Sequence, residues 1–137
     1  MANVFLRPLL ALGLSLCLCL GLMLGACSAN ASGLSGNYVE DTVSVADRLL
    51  GTIAMAQDDP DHAAAESQAR ALINDYMARY RPRNDVNGLS SFTTMQTALN
   101  SLAGHYANYA NRPLPDTLRN RLQQELKKGE TAAVRGS

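Results

Sequence analysis

The sequence predicts an all-α fold, an antiparallel up-down-up-down four-helix bundle, on three observations. Between Gly88 and Leu122 the apolar residues Phe92, Met95, Leu99, Leu102, Tyr106 and Tyr109 recur at steps of 3, 4, 3, 4 and 3, which is one face of a helix. A second series, Leu118, Leu122 and Leu126, begins after Arg112-Pro113-Leu114-Pro115, so a further helix turns back over the first. Two more helical stretches precede these with short connections, which favour antiparallel neighbours, and no segment carries a clear strand pattern.

Residues 1–26 read as an export segment: Arg7 in a short leading region, an apolar run from Leu9 to Leu24, then Leu24-Gly25-Ala26-Cys27. That tetrapeptide fits a bacterial lipobox, in which the signal is cleaved before a diacylglyceryl-modified cysteine and the new amino terminus is acylated. An uncleaved membrane-spanning helix and ordinary signal cleavage are the alternatives. Cysteine usage favours the lipobox, because Cys17 and Cys19 lie in the discarded run and Cys27 alone remains. One cysteine cannot form an internal disulfide, and lipidation removes a thiol that would be reactive in an exported protein. Residues 28–36, SANASGLSG, are small, polar and Gly-rich, so the stretch after lipidated Cys27 is expected to be a flexible tether.

The domain proper is expected over 37–128. Its first helix runs from near Asn37 to Gln57 with Val39, Val43, Ala46, Leu50 and Ile53 on one stripe, Leu49 beside it and Gly51 weakening it. The second starts at Asp59-Pro60, a cap followed by a residue that needs no N–H, and continues to Tyr80. Its stripe is Ala65, Ala69, Leu72, Tyr76 and Tyr80, flanked by Ile73 and Met77, and Arg81-Pro82 ends it. After the Asn87-Gly88 turn the third helix begins at Ser90 or Ser91. The fourth begins near Pro115 or Asp116 and frays by Lys128-Gly129, with 129–137 a mobile tail.

Charge balances over the chain but not along it. Tyr38 to Glu66 holds seven acids and one Arg, whereas Ser67 to Ser137 holds ten bases and five acids. That asymmetry fits oriented docking on a charged partner, or simply solvated faces; nucleic-acid binding would call for a larger net positive charge, and with no Trp and two Phe a base-stacking platform is not expected.

Catalytic and metal chemistry find little footing. Asp58, Asp59, Asp61 and His62 lack the alternating oxygens, central glycine and terminal glutamate of a calcium loop, and acids at a helix start stabilise its dipole in any case. His105 has no histidine or carboxylate three or four residues away, so zinc spacing is missing, and no Gly-rich phosphate loop or nucleophile-base arrangement is recognisable. No cofactor and no metal are expected. Arg79, Arg81 and Arg83 gather at the end of the second helix, where cations complement the dipole; with Tyr80 and Asp85 they also make a candidate docking corner for an acidic partner.

Family motifs add what periodicity does not. Ser91-Phe92-Thr93-Thr94-Met95, Ala98-Leu99-Asn100-Ser101-Leu102-Ala103-Gly104-His105-Tyr106, Arg112-Pro113-Leu114-Pro115 and Arg121-Leu122, with Asp75-Tyr76 and Tyr80-Arg81 before them, closely resemble the photosystem II assembly and repair lipoproteins of the thylakoid lumen, the Psb-twenty-seven family. The resemblance covers most of the mature chain and is loosest in the first helix. It implies a non-catalytic, cyanobacterial-type four-helix bundle, monomeric and lipid-anchored on the luminal side of the thylakoid membrane. It also implies transient binding to immature or damaged photosystem II, chiefly the inner antenna protein PsbC, before the manganese cluster and extrinsic subunits are in place. The alternative from another class is an envelope lipoprotein binding a small ligand between its helices; a metal-carrying enzyme is more distant still.

Overall fold

The computed structural model describes residues 32–137, so the signal peptide, Cys27 and the first part of the tether lie outside the described residues. Four helices follow one another: α1 (Tyr38–Ala54), α2 (His62–Tyr80), α3 (Ser90–Asn108) and α4 (Asp116–Arg135). Each packs on its neighbours in sequence and α4 closes the ring on α1, giving an up-down-up-down bundle whose most extensive interface is between α3 and α4. No described helix is long and apolar enough to cross a membrane.

Burial selects the faces. Phe92, Met95, Leu99, Leu102 and Tyr106 of α3 are buried as their spacing predicts, together with Ala98. Tyr109 is not: it follows the last helical residue, its φ of −133° turns the chain off the helical path, and it is 58% exposed. On α2 the stripe from Ala69 to Tyr80 is buried as expected, whereas on α1 the buried face is Asp41, Thr42, Val45, Ala46, Leu49 and Ile53. Val39 is 38% exposed, and Val43 and Leu50 are only half-buried, so the core face is rotated from the expected stripe toward two polar residues.

The helix ends show why the elements stop where they do. Asn37 caps α1, its side chain accepting the Glu40 N–H at 3.2 Å. Asp59 lies in the turn before α2 and does not cap it as expected: its Oδ1 accepts the Asp61 N–H at 2.9 Å, and the helix begins only at His62. Asn111, at φ 53°, occupies the left-handed region in the connection to α4, where asparagine is tolerated better than most side chains.

Both chain segments read as mobile are packed where they are described. Leu34 is buried in the core, Arg48 donates to the Ser32 carbonyl at 2.6 Å, and Ser35 and Gly36 donate their N–H groups to Asp41. Backbone donors opposite a buried carboxylate, plus one apolar anchor, override the low-complexity composition of this arm. At the other terminus α4 runs on to Arg135, burying Gly129 and Ala133. Gly136, at φ 82°, closes it with a Schellman motif: Gly136 N–H to Ala133 O at 3.1 Å and Ser137 N–H to Ala132 O at 3.0 Å. The Ser137 carbonyl then accepts the Ser91 N–H at 3.0 Å, a donor in the first turn of α3 that has no partner within its own helix.

Candidate docking surface

One end of the bundle gathers the N-terminus of α1, the C-terminus of α2 and the N-terminus of α3, and its interior is polar as well as aromatic. Asp41 is buried, and its two oxygens accept four hydrogen bonds: Ser35 N–H at 2.6 Å and Ser35 Oγ–H at 2.9 Å on Oδ1, Gly36 N–H at 3.0 Å and Tyr80 O–H at 2.5 Å on Oδ2. Burial pushes the Asp41 pKa up, but the bonds from Tyr80, the Ser35 and Gly36 backbone and the Ser35 hydroxyl outweigh it, leaving the carboxyl below its ordinary value. Beside it Thr42 Oγ1 lies 2.8 Å from Tyr76 Oη, and Tyr38 Oη lies 2.7 Å from Ser91 Oγ. Burial, and then for Tyr80 the Asp41 bond, raises both the Tyr76 and Tyr80 phenols well above the usual range, so both act as neutral hydrogen-bonding groups.

This network supports the arginine corner from beneath. Tyr80 itself is fully buried, so it presents no surface to a partner; its ring sits edge-on to Tyr38 and carries the Arg83 guanidinium 5.4 Å from its centroid. Arg83 is held in a forked pair with Asp85, Nη2 to Oδ2 at 2.6 Å and Nε to Oδ1 at 3.2 Å, which raises the Arg83 pKa and lowers that of Asp85. Arg79 flanks the docked arm, its Nη1 3.4 Å from where a Cβ on Gly36 would stand. Arg81 is exposed on the helix side of the turn, whose carbonyl accepts from Asn87 Nδ2 at 3.3 Å. Val86 is buried under the same loop, so the connection carrying Asn84, Asp85 and Asn87 is pinned rather than loose. The corner is therefore Arg79, Arg81, Arg83 and Asp85, with the Arg83 charge already shared.

At the opposite end Glu66, also buried, accepts the Asn111 N–H with both oxygens, at 3.1 and 3.0 Å, and so holds the left-handed residue in place. Asn111 further accepts from Gln57 at 2.8 Å, and its Oδ1 lies 3.2 Å from His62 Nδ1. His105 is buried with Nε2 3.1 Å from the Arg112 carbonyl, which ties the end of α3 to the Arg112-Pro113-Leu114-Pro115 connection. Burial, then the Glu66 charge, pushes the Tyr106 pKa up to about 12. Among the described residues no three His, Cys, Asp or Glu side chains stand together as a metal site. The grooves along the helices are open; one of about 710 Å³ between α1 and α4 is lined mainly by Asp47, Asn120, Gln123, Gln124 and Lys127.

The sequence pattern located the arginines but missed Asp41, Thr42 and Glu66. Asp41 could have been found from its place in the row Asp41, Val45, Leu49, Ile53, where an acid precedes three apolar residues at steps of four.

Known proteins resemble this chain along most of its length. The model of the family described as "Photosystem II Pbs27" matches residues 7–132. The photosystem II assembly factor lipoprotein Psb27 of Thermosynechococcus vestitus is 48% identical over 121 residues, covering 88% of this chain and 90% of that protein. The photosystem II lipoprotein Psb27 of Synechocystis sp. is 46% identical over 132 residues, covering 96% and 98%. Among solved structures, the solution structure of Psb27 from cyanobacterial photosystem II superposes with a TM-score of 0.75 at 47% identity, covering 82% of this chain and 96% of that one.

Proposed function

Because this chain belongs to the Photosystem II Pbs27 family, we propose that it is a non-catalytic assembly and repair factor of photosystem II. The observation that carries the reading is the close similarity, over nearly the whole chain, to two lipoproteins named for that complex. In this reading the protein binds immature or damaged photosystem II at the luminal face, chiefly on PsbC, before the manganese cluster and extrinsic subunits are in place. It acts as a monomer held at the thylakoid membrane by lipid on Cys27.

The docked arm bears on how such an anchor works. With Ser32 held by Arg48, only residues 28–31 separate it from Cys27. Those five steps of chain reach at most about 18 Å, so a lipidated Cys27 keeps the bundle close to the bilayer and raises its local concentration at membrane-embedded targets. A modest interface then suffices. The arginine corner, with Arg81 exposed and Arg79 and Arg83 half-buried, supplies positive charge for that interface beside the arm that leads to the anchor.

The test is an affinity pull-down of tagged, lipidated protein from gently solubilised thylakoids, with partners identified by mass spectrometry. PsbC and reaction-centre subunits are expected, and replacing Arg79, Arg81 and Arg83 together by Ser should lower their recovery, as should high salt. Absence of these subunits from a preparation containing immature complexes would refute the assignment. Their undiminished recovery with the triple variant would refute only the arginine surface.

A further inference from the structure

Of the four interfaces between neighbouring helices, α3–α4 is the most extensive and α2–α3 the least. Between α2 and α3 the loose contact leaves an open groove of about 340 Å³, with Ile73, Met77 and Ala103 among its walls. Ile73 and Met77 are core residues whose outer edges form the floor; Asn74 stands on one wall and Asn100 on the other. Both amides are exposed and neither makes a side-chain hydrogen bond among the described residues, so both keep a free donor and a free acceptor toward the groove.

The groove lining holds one charge. From Ser90 to Asn108 α3 carries no Asp, Glu, Lys or Arg, and its one histidine, His105, is buried against the Arg112 carbonyl. Arg81 is the single charged residue lining the groove; it is exposed and makes no ion pair among the described residues. Arg70 lies one turn before Asn74 on the same row of α2. Of the acids close by in sequence, Asp75 is exposed beside Asn74 but does not line the groove, and Asp85 is held by Arg83. The wall thus combines an apolar floor, two unengaged amides and an unpaired guanidinium, the anatomy of an interface centre with a polar rim.

We infer that the α2–α3 groove is a docking site for an acidic protein segment bearing an apolar side chain. The apolar side chain seats on Ile73 and Met77, the segment's backbone exchanges hydrogen bonds with Asn74 and Asn100, and a carboxylate meets Arg81. This rests on the proposed function and deepens it, by placing the partner contact in a groove rather than on exposed arginines alone.

Binding of the purified chain to manganese-depleted photosystem II cores is the experiment, with four variants checked by circular dichroism for unchanged helix content. Ala78→Trp fills the groove without changing charge, and Arg81→Glu reverses its one charge; each should weaken binding at least tenfold. Arg81→Lys should retain most of it, and Gln124→Trp, in the separate α1–α4 groove, should bind as the unaltered chain does. Binding by Ala78→Trp within twofold of the unaltered chain would overturn the groove while leaving the photosystem II reading intact. Failure of the unaltered chain to bind would remove both. Concentration-dependent self-association abolished by Arg81→Glu would overturn the proposal in favour of a second copy of this chain as the occupant.

Discussion

Gly129 offers a test in which local propensity and tertiary packing predict opposite signs. It lies inside α4, where replacing glycine by alanine should add roughly 1 kcal/mol of stability through lower backbone entropy in the unfolded chain. A Cβ built there, however, falls 2.7 Å from both Cγ and Sδ of Met95, and Met95 is fully buried, so its side chain has no solvent into which to swing. Overpacking of this kind costs about 1–3 kcal/mol. The expected net effect of Gly129→Ala is a loss of about 1 kcal/mol, which for a domain of this size lowers Tm by about 4–8 °C. Gly51 supplies the control, since it is exposed on α1 and nothing lies within 4 Å of its built Cβ. Gly51→Ala should raise stability by about 0.5–1 kcal/mol. Thermal and urea unfolding followed by far-UV circular dichroism measures both. Combining Gly129→Ala with Met95→Ala should cost less than the sum of the single changes, because the new methyl partly fills the space left by the methionine. A Gly129→Ala variant stabilised as much as Gly51→Ala would refute the close approach of α4 to α3.

Three other outcomes follow from the same structure. Leu99→Ala or Leu102→Ala, both at fully buried positions, should cost about 2–5 kcal/mol, and an unchanged Tm would show that this stripe does not face the core. Asp41→Asn should cost about 1–3 kcal/mol near neutral pH, because an amide cannot accept from all four donors. The Asp41 pKa is lowered on folding, so its stabilisation is complete above its ordinary 3.8 and is lost as pH falls through the folded value. The variant should therefore show a flatter acid limb of stability against pH, and an acid limb identical to that of the unaltered chain would sink this role. Tyr106 titrates the other way, its pKa raised from 10.0 to about 12. Its contribution is present below pH 10 and lost between 10 and about 12, so Tyr106→Phe should lessen the loss of stability in that window in alkaline denaturation curves.

The four helices, their order and most of the α2 and α3 core were legible in the sequence, because a long apolar period of 3.6 residues leaves a helix few other ways to bury its face. The start of α1 near Asn37 and the Asn87-Gly88 turn before α3 could be read for the same local reasons, as could the clustering of arginines at the end of α2. Period alone, however, cannot fix which side of a short helix meets the core when polar residues share it. On α1 the core face turned toward Asp41 and Thr42, because Tyr80 and Tyr76, more than thirty residues away, supply their hydrogen bonds. Composition likewise misread both ends of the described chain. Ser32 to Gly36 are ordered by partners on α1, and Gly129 to Ser137 by the space beside Met95 and by a backbone donor of α3 that needed an acceptor. The helices were set by neighbours in sequence. The arm, the end of α4, the Tyr80–Asp41 bond beneath the arginine corner and the α2–α3 groove were decided by groups brought together only when those helices packed.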